Sequence, residues 1–186
     1  MRSTLKNVIF TAAPNSHQRG SELNKKSSAR TRSYKTGENI IGAISAGAVF
    51  ILIGTIYVTN LPTSLWDKIV DFFKSFEIVK LSDTLSLPAP AAPGAHAVVY
   101  NAAFQFCIGI AILQVVVLAL RLMMHSPISK TAETVGNLIF WLGAAVLVNM
   151  FLAAGTINGW FEYWGAFIVL IGVTMVARAI VYFVKR

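Results

Sequence analysis

The stretch VVYNAAFQFCIGIAILQVVVLALRLM, residues 98–123, is an almost unbroken apolar run. It holds one charged residue, Arg121, in 26 positions. At about 1.5 Å of rise per residue, a helix of this length exceeds a hydrocarbon core of roughly 30 Å. Three further runs share this character, at residues 39–60, 135–154 and 160–184. The sequence therefore predicts an all-α integral membrane protein, multi-pass, with four transmembrane helices.

Composition agrees. The chain has 186 residues, is 55% hydrophobic and 13% charged, and has a mean hydropathy of +0.64. Soluble domains carry roughly 25% charged residues. The division predicted is a disordered basic tail over residues 1–38 and a four-helix membrane domain over residues 39–186.

Charge orients the chain. Residues 1–38 hold eight Lys/Arg against Glu22 and Glu38, which accounts for six of the eight net positive charges. With the N-terminus inside, the inner segments carry 13 Lys/Arg, and the outer ones only Lys68, Lys74 and Lys80. Cationic loops stay in the cytoplasm, so both termini are expected to be cytoplasmic, in a cell membrane. The tail lacks an aromatic-plus-basic module, and nucleic acid is not an expected partner. The expected partners are the lipid bilayer and either a second copy of the chain or another membrane subunit.

Between the first two spans, residues 64–80 read as an external amphipathic helix. At 100° per residue, Leu65, Trp66, Ile69, Val70, Phe72, Phe73 and Phe76 fall in one sector. Asp67, Lys68, Asp71, Lys74 and Ser75 fall in the other. Pro62 precedes it, and Ser64 with Asp67 resembles a capping box. Residues 87–94, LPAPAAPG, then read as an extended polyproline-like connector.

Chemistry is sparse. The single cysteine, Cys107, lies in the second span and has no internal disulfide partner. His17 and His125 are expected inside and His96 outside, so they cannot converge on a metal. No nucleophile motif, phosphate-binding glycine loop or pair of carboxylates is found, and no cofactor is expected. Neither Asp, Glu, Lys nor His falls at mid-membrane, where ion relays need such groups. An enzyme is therefore not the expected reading.

Two constellations remain. Asn101 and Gln105, one turn apart, form with Asn149 a candidate polar cavity near the outer face. Arg121, Glu133 and Arg178 gather near the inner face as a candidate cytoplasmic ion pair, Arg178 with Glu133. Small residues (Gly42, Ala43, Gly47, Gly54, Gly136, Gly143, Gly165, Gly172) form stripes suited to close helix approach, within the bundle or against a second copy.

Several stretches together resemble small archaeal multi-pass membrane proteins of unknown function: Asp67-Lys-Ile-Val-Asp-Phe-Phe73, Leu87-Pro-Ala-Pro, Gln105-Phe-Cys107, Ala132-Glu-Thr-Val135 and Phe140-Trp-Leu-Gly143. The resemblance covers roughly residues 40–184. It implies four helices in an archaeal cell membrane and carries no activity or ligand. The leading expectation is a non-enzymatic assembly, scaffold or accessory subunit. The alternative is a small oligomeric channel or transporter, and a membrane-bound enzyme comes third.

Overall fold

The computed structural model describes residues 39–81, 84–124 and 126–184. The tail expected over residues 1–38 lies outside them. From Ile40 onward, the described residues belong to one compact unit.

Four helices are long and apolar enough to cross a membrane. They are α1 (Asn39–Thr59), α3 (Ala97–Met123), α4 (Ile128–Leu147, extended to Leu152 by a π turn) and α5 (Ile157–Val184). The π turn is closed by Ala153 N–H donating to the Val148 carbonyl at 3.1 Å.

Helix α4 begins seven residues before the expected span. Pro127 sits in the extended region ahead of it and has no helical hydrogen bond to lose. The polar turn that follows, ISKTAET, is rich enough in helix formers to continue the apolar run backwards. At the other end, Gly155 takes a positive φ of 63° to reverse the chain. Thr156 then caps α5, its Oγ1 accepting the Gly159 N–H at 3.0 Å.

The helices stand in a row: α1 along α3, α3 on α4, α4 on α5. Neighbours run antiparallel, and the α1–α3 and α4–α5 seams close over glycines. The Leu52 side chain occupies the space a Cβ on Gly109 would take; Leu170 does the same at Gly143 and the Arg178 stem at Gly136. Of the most apolar stretch of each helix, 6% is buried in α1, 22% in α3, 28% in α4 and 6% in α5. Burial thus rises to the middle of the row and falls at its ends. In lipid, where apolar burial drives nothing, such close backbone approach supplies the packing energy.

The segment between α1 and α3 departs from expectation. Helix α2 spans Leu65–Lys74, not residues 64–80. Ser75 ends it, and the chain becomes strand β1 (Phe76–Lys80), paired antiparallel with β2 (Ser86–Pro90). The supposed polyproline connector is therefore half of a hairpin. Its prolines fit because of register. Leu81 donates to Leu85 at 2.9 Å, and Ala91 to Ser75 at 2.9 Å. Alternation from these pairs puts Ile78↔Pro88 and Phe76↔Pro90 at the non-hydrogen-bonded sites, where no N–H is required.

The expected capping box also fails to form. Ser64 closes the preceding 3-10 turn in the left-handed region, φ 50°, and its hydroxyl makes no cap bond to α2.

Candidate functional site

The row has two chemically different ends. At the hairpin end, Phe72 of α2 stands edge-on to Phe76, His96, Tyr100 and Trp160, with ring centroids 5.2 to 6.0 Å apart. Ala89 of β2, Tyr100 of α3, Val148 and Leu152 of the π turn, and Trp160 of α5 form one buried cluster beneath it. Edge-to-face rings add attraction beyond the area they bury. The Ser75 hydroxyl lies 2.8 Å from the Phe72 carbonyl and 2.9 Å from His96 Nε2. With its proton on the carbonyl, its oxygen accepts from the Nε2–H tautomer of the imidazole. This ties the end of α2 to the start of α3.

The candidate cavity is arranged differently from expectation. Gln105 is half-buried and its Oε1 accepts from Asn60 Nδ2 at 3.4 Å. Asn60 also donates to the Ile56 carbonyl at 2.8 Å. Asn101 and Asn149 are exposed, and among the described residues no hydrogen bond joins either of them to Gln105. Helix α1 ends level with Gln105, so no α1 side chain covers the turn beyond it, where Asn101 stands. The structure thus brings Asn60 to Gln105 in place of the expected trio. Asn60 is legible in the sequence only as the residue where a span stops.

At the opposite end, both arginines address α4. Arg121 Nη1 of α3 donates to the Lys130 carbonyl at 2.6 Å and to Thr134 Oγ1. Thr134 is 1% exposed and donates in turn to the Lys130 carbonyl at 2.9 Å. Arg178 Nη2 of α5 donates to Asn137 Oδ1 at 2.6 Å. Tyr182, one turn further along α5, donates to the Ser129 carbonyl at 3.4 Å.

The expected Arg178–Glu133 ion pair does not form. Glu133 pairs with Lys130 at 3.2 Å on an exposed face. The reason is directional: side chains on a helix lean toward its own N-terminus. Glu133 therefore leans along α4 toward Lys130. Arg178, on antiparallel α5, leans the opposite way, toward Asn137 and Phe140. The residues missed by sequence reasoning are thus the neutral acceptors Thr134 and Asn137; Gly136 between them was expected only as a packing glycine. A Gly-Asn step inside an otherwise apolar run was the available signal.

Between α4 and α5 an open groove of about 360 Å³ is lined by Asn137, Phe140, Trp141, Ile171, Thr174, Met175 and Arg178. Its polar groups are concentrated at one end, since Thr174 turns its hydroxyl to the Leu170 carbonyl at 2.8 Å. Among the described residues, no three His, Cys, Asp or Glu side chains stand together as metal ligands. Comparisons with protein families, with curated proteins and with solved structures find no match to this chain.

Proposed function

We propose that the protein works by assembly within a cell membrane, as a non-enzymatic scaffold, accessory subunit or self-associating unit. The observation that carries this reading is the placement of the span glycines. Gly109, Gly136 and Gly143 lie against neighbouring helices, whereas Gly42, Gly47 and Gly54 of α1 and Gly165 and Gly172 of α5 meet open space. The outer face of α1 sets Gly47 and Gly54 among Phe50 and Val58, and that of α5 sets Gly165 and Gly172 among Ile168 and Val176, all exposed.

Each glycine costs a helix about 1 kcal/mol relative to alanine, and lipid gives nothing back for it. Close approach of another helix does. Both ends of the row thus present surfaces fitted to a neighbour. On the 13-to-3 distribution of Lys/Arg, both termini are cytoplasmic and α2 with its hairpin lies outside, where Trp66 and Phe73, exposed at 65% and 69%, meet the headgroup layer or a partner.

A channel or transporter, the other reading, requires several copies, because a single row has no interior through which a solute could pass. Purification of the full chain from native membranes in mild detergent tests the proposal. The expected result is a complex larger than one chain, either a homo-oligomer or a stoichiometric complex with another subunit. Gly47→Leu/Gly54→Leu or Gly165→Leu/Gly172→Leu is expected to break it while leaving the fold intact. A monomeric native protein, unchanged by either double substitution, would retire the assembly reading.

A further inference from the structure

We infer that the groove between α4 and α5 binds the phosphate head group of an anionic membrane lipid, with Arg178 and Asn137 as its donors and Phe140, Trp141, Ile171 and Met175 as the wall for the acyl chain.

The charge is the starting point. A guanidinium offers five N–H donors, and Arg178 spends one, on the neutral oxygen of Asn137. Its Nε is buried with no hydrogen-bond partner. Among the described residues no carboxylate lies within ion-pair distance of it, Glu133 being held by Lys130. An arginine inside an apolar span is costly and ordinarily pairs or faces water. Here it is held inward, with its stem across Gly136 where any side chain would displace it. Asn137, by accepting through Oδ1, leaves its Nδ2 as a second donor beside the guanidinium. The site is cationic, made of donors and short of an acceptor.

Depth selects the ligand. Helix α5 has 28 residues and is roughly 42 Å long, about 12 Å more than the hydrocarbon core. Arg178 lies six residues before Val184, or roughly 9 Å from that end of the helix. With the surplus shared between the ends, its Cα sits a few ångströms below the hydrocarbon boundary and its guanidinium, leaning toward Asn137, a few more, so a lipid phosphate reaches it by settling into the groove. From there the walls run toward mid-membrane and are apolar. A charged head at one end and a greasy track at the other is the shape of an amphiphile. The planar fork of arginine matches phosphate oxygens two at a time.

The test uses the full chain, delipidated in detergent and titrated with phosphatidylglycerol, with bound lipid counted by native mass spectrometry. One lipid is expected to bind at least tenfold more tightly than diacylglycerol, which has the chains and lacks the phosphate. Arg178→Gln should lose that tenfold. Met175→Trp, which fills the track and leaves the arginine in place, should lose it too, and it keeps the question open to test if Arg178→Gln fails to fold. Helical circular dichroism and melting of each variant guard against loss of fold. Glycerol 3-phosphate, the head without the chains, should compete poorly. If it competes as well as the lipid, the ligand is a soluble phosphate and the lipid assignment falls. Equal retention of phosphatidylglycerol by wild type and Met175→Trp, or equal binding of diacylglycerol, would also overturn it.

Discussion

The two ends of the helix row are closed by opposite chemistries. At the hairpin end, α1 and α3 are joined by the 37 residues 60–96, and rings of its described part fill the space over the helices. At the arginine end the α3–α4 connection is only residues 124–127, too short to cover anything. There the helices are held by long cationic side chains that cross the seams and find carbonyl, hydroxyl and amide oxygens on α4. A long connection can bring its own hydrophobic cover. A short one leaves side chains to make the cross-links, and in a low-dielectric setting each hydrogen bond they make is a strong tie.

The sharpest way to break this contrast is at Phe72. It touches α3, α5 and β1 through rings alone, so Phe72→Ala should loosen the hairpin end as a unit. For a half-buried phenylalanine at the centre of a cluster, about 2–3 kcal/mol is expected, below the range for full burial. Unfolding in detergent reads it, and limited proteolysis should then cut within residues 61–96. A loss under about 0.5 kcal/mol would mean that the rings merely adjoin one another.

A smaller effect is expected at the other end. Thr134→Val keeps the shape and removes an acceptor from Arg121 and a donor to the Lys130 carbonyl. About 1–2 kcal/mol follows from leaving buried polar groups short of partners. Proteolysis at the hairpin should be unaffected, which separates the two ends. If Thr134→Val loosens the hairpin as well, the ends are coupled through α4 and the contrast fails.

The smallest effect is expected at Glu133. Its pair with Lys130 is exposed, so Glu133→Gln should cost less than about 0.5 kcal/mol. Combined with Arg178→Gln, the costs should simply add, because the residues belong to separate contacts. Non-additivity in this double-mutant cycle would restore the Arg178–Glu133 pairing that the side-chain directions exclude.

How far the sequence could be read varies with the scale of the forces involved. Hydropathy marked α3 within a residue of its start, because an apolar run of that length has one stable state in lipid. It missed the first seven residues of α4, because a polar turn can be helical without being apolar. It carried α2 through Phe76–Lys80, because the same apolar residues suit a helical face and a strand. The partner β2 decided between them, and two prolines disguised β2 as a connector. The Arg178 site was visible as a charge near a span end. Its acceptor was not, because the choice between Glu133 and Asn137 rests on the lean of side chains in antiparallel helices and on a glycine that lets the stem lie flat.

By itself, then, the sequence determined that four helices are long and apolar enough to cross a membrane, since the need to satisfy every backbone group in hydrocarbon leaves an apolar run little choice. Three-dimensional packing sets these helices in a row, with α3 and α4 inside and α1 and α5 at the edges. It alone decided which glycines are covered and where each arginine finds its oxygen. Packing in lipid turns on close contacts between particular surfaces, and many arrangements of four apolar helices satisfy the same hydropathy.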